Sequence, residues 1–537
     1  MPSNSYKVVI VGAGPAGIFA ALELVRGGVT DVLVVEKGHA IAKRRCPARD
    51  TACVGCRTCD IMTGWGGAGA FSDGKLTLTT EVGGWLGDFV PKADLEQLVD
   101  YADRLWVDYG ATSEIHGADP GTAIALEREA TLAGMKLLPM RIRHLGTDRS
   151  PQVLDAMRVA LETAGVSVRT ESAAARILVE DDRVTGVELV DGEVVSAQTV
   201  IAAPGREGAN WLAGQAHVLG LPLVNNAVDI GVRVECPAPV MERLTDALYE
   251  AKLVYHTKAF GDTVRTFCMN PYGEVTTESY GDVVTVNGHS YAEAKTGYTN
   301  FAVLVSQRFT EPFRDPITYG RSIAKLANLL GDGILVQRLA DLKAGRRSTA
   351  ERIAQSLAEP TLAHATPGDL SAVLPYRHLT DIIEFLEAME PLAPGICGPS
   401  TLLYGVEVKF YSSRLEVDSR LQTQIAGLYA IGDGAGITRG LIQASASGVI
   451  AARAVLDQAE VRSAQCSRNP TMRVGLHAAL VTSARRDGMH GAENTPDGRN
   501  LGAHSGCRAD LQRGQQSATL GQAAARPHGR SAPGRRG

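Results

Sequence analysis

Glycines alternate with small residues near the start of the chain, in a pattern that suits phosphate binding. The residues are Gly12-Ala13-Gly14-Pro15-Ala16-Gly17, and the strand-like run after them ends at Glu36. Glycines let the backbone turn tightly and approach a pyrophosphate, and a carboxylate such as Glu36 accepts hydrogen bonds from a ribose hydroxyl. The pattern predicts binding of a dinucleotide whose adenosine carries no 2′-phosphate.

A strand, a helix and a second strand must position these residues. Lys7–Val11 is a β-branched apolar run typical of a buried parallel strand. Ile18–Arg26 predicts a helix, and Asp31–Val35 predicts the second strand. The helix N-terminus offers unpaired N–H groups and a positive dipole end to the phosphates. The predicted contacts with the ligand are Gly12, Ala13, Gly14, Pro15, Ala16, Gly17, Glu36 and Lys37.

A second glycine-rich stretch, Gly64–Leu76, is dense enough in small residues for a planar ligand to lie against its backbone. A flavin ring with its ribityl chain fits that description, because the ring is large and flat. The sequence therefore predicts further ligand contacts, made by Gly66, Gly67 and Ala68.

Four of the nine cysteines lie close together, with the spacing C-x6-C-x2-C-x2-C. They are Cys46, Cys53, Cys56 and Cys59. Four thiolates at this spacing could hold an iron–sulfur cluster or a zinc ion. In a second interpretation, Cys56 and Cys59 exchange electrons with the flavin and are activated by Arg44, Arg45 and Arg57. In a third, the cysteines are simply buried or loop thiols.

Length and composition predict a globular enzyme of at least two domains. The chain has 537 residues, of which 45% are hydrophobic and 21% charged. No apolar run is long enough to span a membrane, and the first strand starts at Lys7, which leaves no room for a signal peptide. These features predict a cytoplasmic location.

The net charge of −5 is unevenly distributed. Residues 461–537 contain 12 arginines and four acidic residues, so the rest of the chain is clearly acidic. The arginine-rich segment shows little periodicity and predicts a disordered tail. The acidic body argues against nucleic acid as the main ligand.

These motifs together resemble a large family of bacterial FAD-dependent dehydrogenases. The resemblance rests on the glycine fingerprint, the cysteine segment and Gly66–Leu76, and it covers about residues 6 to 456. Other matching segments are Arg143–Asp148, Ala203–Gly208, Val286–Tyr291, Gly405–Tyr411, Gly432–Gly436 and Thr438–Gly440. The resemblance implies FAD and an oxidoreductase, but it supplies no substrate.

The resemblance also implies an α/β fold with a Rossmann-type FAD-binding domain of the glutathione-reductase-like superfamily. An inserted α+β substrate domain and a disordered C-terminal tail complete the expected architecture. The expected boundaries are 1–225 and 400–456 for the FAD-binding domain, 226–399 for the inserted domain and 457–537 for the tail.

Two later segments are similar to FAD-contacting segments of that superfamily. A strand that ends in Ala203 and Gly205 is expected to run close to the pyrophosphate or the adenine side of FAD. A second strand ends in Gly432 and Asp433, where the carboxylate is expected to bind the ribityl chain or the pyrophosphate. A helix predicted from Leu441 to Leu456 would then direct its positive dipole end at the flavin.

Hydrophobic periodicity predicts the remaining elements. Helices are expected near Leu95–Trp106, Ala123–Ala133, Pro151–Ala164, Ile323–Leu330 and Leu379–Met389. Strands are expected at Ile230–Glu235 and Phe301–Val305, and an antiparallel meander at Ala174–Ala202.

The candidates for acid–base chemistry are His144, His289 and His378, although a lone histidine is often only structural. We favour His289, because the surrounding polar residues predict a turn that faces a cavity. Three cations could neutralise an anionic substrate or a reduced flavin, or could form surface ion pairs. They are Arg206, Arg265 and Lys409. The predicted catalytic set is therefore His289, Arg206, Cys56 and Cys59.

The function that follows is hydride transfer between a small organic substrate and flavin N5. The chain has no second GxGxxG between a strand and a helix, so NAD(P)H as electron donor would share the substrate cleft. A cluster at the four cysteines would add an electron-transfer partner. Two alternatives are a flavin-dependent RNA-modifying enzyme, with the tail as its RNA arm, and a non-catalytic binding protein on the same fold.

Overall fold

The structure is a computed structural model, and its description covers most of the first 468 residues. The described residues are 4–47, 54–72, 74–117, 119–146, 148–224, 226–280, 282–291, 294–307, 315–409 and 413–468, with no account of the side chains of 460–468. Residues Met1–Cys466 form one compact unit, and the account below concerns that unit.

The described residues form eleven α-helices, numbered in chain order. They are α1 (Pro15–Arg26), α2 (Lys92–Asp108), α3 (Pro120–Leu132), α4 (Ser150–Thr163), α5 (Ala209–Val218), α6 (Glu242–Leu248), α7 (Pro316–Gly331), α8 (Leu339–Lys343), α9 (Ala350–Ala354), α10 (Tyr376–Met389) and α11 (Leu441–Arg468).

Twenty-one strands lie in the same described part of the chain. They are β1 (Ser5–Val11), β2 (Val32–Val35), β3 (Lys75–Thr77), β4 (Lys136–Leu138), β5 (Ile142–His144), β6 (Ser167–Arg169), β7 (Ala174–Glu180), β8 (Arg183–Leu189), β9 (Val194–Ala202), β10 (Leu223–Val224), β11 (Val228–Pro237), β12 (Lys252–His256), β13 (Thr263–Asn270), β14 (Glu274–Ser279), β15 (Val284–His289), β16 (Tyr298–Gln307), β17 (Leu335–Arg338), β18 (Thr366–Pro367), β19 (Leu402–Lys409), β20 (Arg414–Leu415) and β21 (Leu428–Ala430).

The first sheet has the strand order β6-β2-β1-β9-β8-β7, with β21 also paired to β9. Strands β6, β2, β1, β9 and β21 run parallel. Residues Val8–Val11 are buried, as a strand covered on both faces requires. The predicted β1–α1–β2 unit is confirmed, and with it a mixed α/β fold.

Glycines bring the two principal helices of this sheet close to the backbone. A Cβ on Gly17 would lie 2.0 Å from the carbonyl oxygen of Gly12, so α1 packs directly on the turn that precedes it. A Cβ on Gly448 of α11 would lie 2.2 Å from the carbonyl oxygen of Ala16. Helix α11 therefore contacts α1 at backbone distance.

The predicted helices and the antiparallel meander are present, but several helix ends differ, and α7 begins at Pro316 rather than at Ile323. The largest difference concerns α11, which continues to Arg468 and so includes the first residues of the predicted tail. The segment from Asp457 to Arg468 contains no glycine or proline, so nothing in it stops the helix. The rest of the predicted tail lies outside the described residues.

The second sheet has eight strands in the order β18-β17-β19-β11-β16-β13-β12-β4. Alternate residues of β11, from Val228 to Val234, face a core that includes Ile323 of α7 and Phe385 of α10. The other residues of the same strand include Asp229 and Arg233, which face away from that core. One face of this sheet is therefore apolar, and the other carries charged residues beside a second apolar cluster that includes Val336, Leu402 and Tyr404.

Two strands of the second sheet come from outside the predicted inserted segment, 226–399. Strand β4 pairs with β12 at one edge, and β19 pairs with both β11 and β17. Strand β19 lies in the segment that we assigned to the return of the FAD-binding domain. The chain therefore rejoins the first sheet only after Lys409, with β21.

Within the described residues, no helix combines the length and the apolar character that a membrane crossing requires.

The close approach of α11 to α1 can be tested by adding a single methyl group. We expect Gly448→Ala to lower the free energy of unfolding by about 1–3 kcal/mol, because the methyl group meets backbone atoms that cannot move aside. Gly214→Ala is the matched control, because a Cβ there meets nothing within 4 Å. That control should stabilise α5 by about 0.5–1 kcal/mol. Thermal unfolding midpoints measure both, and equal shifts would contradict the packing.

Candidate functional site: a glycine cradle beside a charged sheet face

The carboxylate of Glu36 connects three separate segments of the backbone. Its oxygens accept hydrogen bonds from the N–H groups of Ala13, Gly38 and Gly64, each at 2.9 Å. The side chain lies at the end of β2 and is buried. A carboxylate offers about four acceptor positions, so these bonds leave about one for a ribose hydroxyl. The ribose contact remains a prediction, and the structural role of Glu36 was not foreseen.

The side chain of Arg44 binds the backbone that follows the cysteine segment. Its guanidinium donates to the carbonyl oxygens of Asp60 at 2.8 Å, Trp65 at 2.7 Å and Ile61 at 3.1 Å. Burial lowers the pKa of Arg44 to about 10, although Glu36 and Asp60 partly offset that effect. We expected Arg44 to activate cysteines, but its donors are directed to backbone carbonyls.

The structure does not assemble the predicted metal site among the residues that it describes. Cys46 and Cys59 are half-buried and Cys56 is exposed, whereas Cys53 lies outside the described residues. Within the described part, no three side chains of His, Cys, Asp or Glu are placed to hold a metal ion. A cluster, a zinc ion and a redox pair all stay predictions.

Open space lies in front of the N-terminus of α1. A Cβ built on Gly14 has only the Cα of Gly67 near it, at 4.0 Å, and helix α1 starts without a side-chain cap. The N–H of Gly66 donates to the carbonyl oxygen of Ala13 at 2.8 Å, so the second glycine stretch lies against the first. Ala68 follows in a short 3-10 helix that starts at Gly67. A pyrophosphate fits this space, because uncapped helix N–H groups bind anions.

The predicted contacts at the ends of β9 and β21 reach the same place. The N–H of Ala203 donates to Val11 at 2.8 Å, which aligns the ends of β9 and β1. A Cβ on Gly434 would lie 2.4 Å from the carbonyl oxygen of Gly205, so the two strand ends touch. Parallel strands that end together form the usual ligand crevice of such sheets. The set Gly12–Gly17, Gly66–Ala68, Gly205 and Gly432–Asp433 is called the cofactor cradle below.

Asp433 and Lys37 differ in how well they suit the predicted contacts. Asp433 accepts a hydrogen bond from Thr438 Oγ1 at 2.8 Å. Burial raises the pKa of Asp433, and the positive charge of Arg206 opposes that effect. Lys37 instead pairs with Glu207 on a partly exposed surface, so the structure gives it another partner.

Beside the cradle lies the charged face of the second sheet. It is defined by Asp229, Arg233, Lys252, Arg265, Glu407 and Lys409. Side chains from neighbouring segments complete it, namely Lys75, Arg206, Glu250 and Glu278. Charges are rarely buried unless they are paired, so this concentration marks the face as unusual.

Arg233 and Glu407 form the fixed centre of the charged face. Their two hydrogen bonds are each 2.8 Å long, and neither side chain is exposed. Three asparagine oxygens accept further bonds from the same guanidinium, from Asn270, Asn287 and Asn300. A planar guanidinium satisfied on every side is rigid, so Arg233 holds its neighbours in place.

Arg206 joins the charged face to the cofactor cradle. It follows Gly205 in the chain, and its guanidinium lies 3.3 Å from the carboxylate of Glu278. Glu278 also pairs with Lys409 at 3.5 Å. Burial disfavours the negative charge of Glu278, but Lys409 and Arg206 outweigh it and lower the pKa. The structure thus brings together two of the three predicted cations, and Arg265 lies on the same face.

His144 belongs to a small polar network next to the charged face. Its Nε2 lies 3.2 Å from Ser290 Oγ, which in turn lies 2.9 Å from the hydroxyl of Tyr249. The rings of His144 and Tyr249 stack with centroids 4.5 Å apart. Of the three predicted histidines, His144 is the one that this network includes.

The turn that we predicted around His289 is wrong. His289 ends strand β15 and pairs with Glu274 of β14 across a regular hairpin. The reason lies in the alternation that begins at Val284, which continues the strand through Asn287 and Gly288. His289 therefore extends a strand, and its role in catalysis stays a prediction.

His378 lies away from the charged face, in α10 on the apolar side of the second sheet. Its side chain is buried, and neither ring nitrogen has a hydrogen-bond partner among the described residues. Burial lowers its pKa to about 4, and Asp262 offsets this only in part. The structure therefore supports a structural rather than a catalytic role.

Sequence reasoning missed several residues of the site. Lys75 donates to Glu250 at 2.8 Å, and Lys252 lies 3.6 Å from the same carboxylate. The available signal was a lysine within an otherwise apolar strand, as in Ala251–Tyr255. Tyr249 and Ser290 gave no comparable signal, because polar residues just after a helix or a strand are common.

Two family models match the chain. One is described as "FAD binding domain" and matches residues 5–212, and the other, "FAD-dependent protein, C-terminal domain-like", matches residues 228–410. A relative from Clostridium beijerinckii, described as an uncharacterized protein, is 26% identical over 477 residues, which cover 84% of this chain and 81% of the relative.

The solved structures that are similar to this chain include two dehydrogenases. The 3-ketosteroid-delta4-(5alpha)-dehydrogenase of Rhodococcus jostii RHA1 is 15% identical, with 84% of this chain and 97% of that chain covered and a TM-score of 0.40. The L-proline dehydrogenase of P. horikoshii is 11% identical, with coverages of 85% and 94% and a TM-score of 0.38.

Burial of His378 predicts how acid affects stability. The unfolded chain binds a proton at this histidine below about pH 6.5, whereas the folded chain binds it only near pH 4. Stability should therefore fall as the pH drops through this window. His378→Leu removes the effect, so its advantage over the parent should be about 2 kcal/mol larger at pH 5 than at pH 7.5.

Unfolding midpoints at the two pH values measure this difference. His364→Leu is the matched control, because it makes the same substitution at an exposed position. An advantage of His378→Leu that is the same at both pH values would contradict the assignment.

Proposed function

The chain is an FAD-dependent oxidoreductase, and from this premise we propose that hydride passes between a small organic substrate and flavin N5. The observation that carries the proposal is the position of Arg206. It follows Gly205 of the cofactor cradle and pairs with Glu278, which contacts Lys409 of the charged face. A substrate on the charged face would therefore lie next to a cofactor in the cradle.

The cradle residues suit FAD in type and in arrangement. Gly12–Gly17 and the N-terminus of α1 would bind the pyrophosphate, and Glu36 would bind the ribose. Gly66–Ala68 would contact the flavin end of the cofactor. The carboxylate of Asp433 would accept a hydrogen bond from a hydroxyl of the ribityl chain. When bound, FAD supplies the redox chemistry, and the chain supplies position and exclusion of water.

We assign the fold to the glutathione-reductase-like superfamily, with an inserted substrate domain near residues 226–399. The parallel first sheet, the glycine fingerprint and the return strand β21 support the assignment. The pairing of β19 and β4 into the second sheet makes the insertion less cleanly bounded than the sequence predicts.

The network of His144, Ser290 and Tyr249 is suited to moving a proton. The Nε2 atom of His144 can accept a proton from Ser290 or return it, and Tyr249 lies one hydrogen bond further on. We therefore place the acid–base role at His144 in preference to His289. The proposed electron donor is NAD(P)H, which would enter the cleft that the substrate also uses. The proposed location of the enzyme is the cytoplasm.

A side chain at Gly14 should remove the cofactor and leave the fold intact. Gly14→Val fills space that only the Cα of Gly67 borders, and its backbone angles are ones that valine adopts readily. We expect about one FAD per chain in the parent and less than a tenth of that in the variant, measured by absorbance after denaturation.

The control for this experiment is Gly214→Val, which introduces the same side chain at an open position on α5. It should retain full FAD content, and far-ultraviolet circular dichroism should be unchanged in both variants. Full FAD content in Gly14→Val would contradict the cradle. A parent protein that cannot be reconstituted with FAD would overturn the proposed function as a whole.

Anaerobic mixing tests the hydride step itself. The visible flavin bands should bleach on addition of NADH or NADPH, and the bleaching should be slower when the nicotinamide carries deuterium at the transferred position. Iron and zinc analysis of the same sample tests the four-cysteine site. About four irons per chain would indicate a typical cubane cluster.

A further inference from the structure

Tyr249 lies in a backbone conformation that residues with a side chain rarely adopt. It directly follows α6, its φ and ψ angles are 62° and −53°, and the N–H of Glu250 donates to the carbonyl oxygen of Leu248 at 2.7 Å. These features define a γ-turn with a positive φ, which is a strained conformation. Such strain persists where neighbouring contacts compensate for it, and it is frequent at functional sites.

Contacts around the turn hold Tyr249 in place. The ring of Tyr249 is buried and packs against Met140 and Ile142. The next residue, Glu250, pairs with the ammonium of Lys75 at 2.8 Å. The surroundings therefore fix the direction in which the tyrosine side chain leaves the backbone.

The rings of two histidines lie against the ring of Tyr249. The centroid of the His144 ring is 4.5 Å away and that of the His116 ring is 5.0 Å away, with interplanar angles of 35° and 38°. The backbone of His116 is fixed beside strand β5, because its N–H and C=O groups bond with Ile142 at 2.8 Å and 3.0 Å. Aromatic rings at these distances attract one another in preferred orientations. The tyrosine ring therefore limits how the His144 ring can turn.

The hydroxyl of Tyr249 is also connected to His144 through a serine. Ser290 Oγ lies 2.9 Å from the tyrosine hydroxyl and 3.2 Å from Nε2 of His144. Asn270 Nδ2 donates to the same serine oxygen at 3.4 Å, and the oxygen of that amide accepts a bond from Arg233, which fixes its orientation. Tyr249 thus contacts His144 directly through its ring and indirectly through a buried serine.

The proton positions in this chain of hydrogen bonds are coupled. A serine hydroxyl has one proton to donate and two acceptor positions. Since Asn270 uses one acceptor position, Ser290 can accept from Tyr249 and donate to His144, or the reverse. A phenol is a stronger donor than an alcohol, and an imidazole nitrogen is a stronger acceptor than a phenol oxygen. The favoured direction therefore runs from Tyr249 through Ser290 to Nε2 of His144.

We propose that Tyr249 is the positioning residue of His144. Its ring holds the imidazole against Ser290, and its hydroxyl keeps the neutral histidine with its proton on Nδ1 and with Nε2 as the acceptor. A histidine in this state is ready to take up a proton at Nε2. The inference rests on the proposed function, in which His144 has the acid–base role, and it deepens that function by naming the residue that controls the histidine.

Two substitutions separate the ring of Tyr249 from its hydroxyl. Tyr249→Phe keeps the ring and removes the hydroxyl, whereas Tyr249→Leu removes both. Tyr255→Phe and Tyr255→Leu are the matched controls, because Tyr255 is also buried, donates its hydroxyl to Glu384 at 2.9 Å and lies in the apolar core of the second sheet. The FAD-loaded proteins are labelled with ¹⁵N-histidine, and two-bond proton–nitrogen NMR spectra are recorded at pH 8. The signals of His144 are identified by their loss in His144→Gln.

In the parent protein, the two ring nitrogens of His144 should give well-separated signals, with Nε2 unprotonated, and the tyrosine should shift the ring protons upfield. Tyr249→Phe should retain the upfield shift but reduce the separation of the nitrogen signals at least twofold, because Ser290 can then accept from the histidine as well. Tyr249→Leu should lose both features, and the Tyr255 variants should lose neither. A proton on Nε2 in the parent, an unchanged separation in Tyr249→Phe, or the same changes in the Tyr255 variants would overturn the inference.

A comparison of glycine with alanine tests whether the turn is strained. Glycine adopts a positive φ without strain, so Tyr249→Gly should unfold at a higher temperature than Tyr249→Ala. At Tyr255, within strand β12, the order should be reversed, because glycine weakens a strand. Thermal unfolding midpoints measure all four variants. Tyr249→Ala that is at least as stable as Tyr249→Gly would overturn the strain from which the inference starts.

The outcomes separate this inference from the proposed function. Protein that holds FAD and is reduced by NAD(P)H, but whose His144 signals do not respond to Tyr249→Phe, would overturn the inference alone. Protein that cannot be reconstituted with FAD would overturn the proposed function, and with it the acid–base role of His144 on which the inference rests.

Discussion

The buried carboxylate of Glu36 is the interaction on which the cofactor side of the molecule depends. It binds backbone N–H groups of the fingerprint turn, of the segment after β2 and of the glycine stretch that begins at Gly64. Arg44 donates to one carbonyl oxygen of this stretch, that of Trp65, and to those of Asp60 and Ile61 just before it. An acid and a base thus position a loop that has few side chains of its own, so the space in front of α1 can be open and still well defined.

The second sheet buries many charged side chains, and these would destabilise the fold unless they were paired. Its apolar face packs on α7 and α10 and supplies the core. Its other face carries paired cations and carboxylates around Arg233, whose donors are met by Glu407 and three asparagines. Because most of these charges are satisfied within the chain, the cost of burial is small where the pairs are complete.

The sequence predicted local features well and long-range pairing poorly. The strand at Val8–Val11, the helix after Gly14 and the β7–β9 meander follow from periodicity and glycine positions, and the structure confirms them. Glu36 was predicted to bind a ribose and Arg44 to activate cysteines, but the partners that the structure gives them lie in turns whose path the sequence does not determine. Lys75 and Glu250 are 175 residues apart, so only the folded chain could bring them together. The turn at His289 was wrong because polar residues hid the period of two that extends β15 through Asn287.

The position of β19 determines when the molecule can be completed during synthesis. This strand lies between β11 and β17, both of which leave the ribosome earlier, so the second sheet has an unfilled gap until Lys409 has been made. The first sheet likewise waits for β21, which follows about twenty residues later and pairs with β9. Exposed strand edges of this kind are prone to pairing with other chains. Both sheets are therefore completed at nearly the same point, late in translation. A truncated chain that ends before residue 400 would present an unpaired strand edge in each sheet.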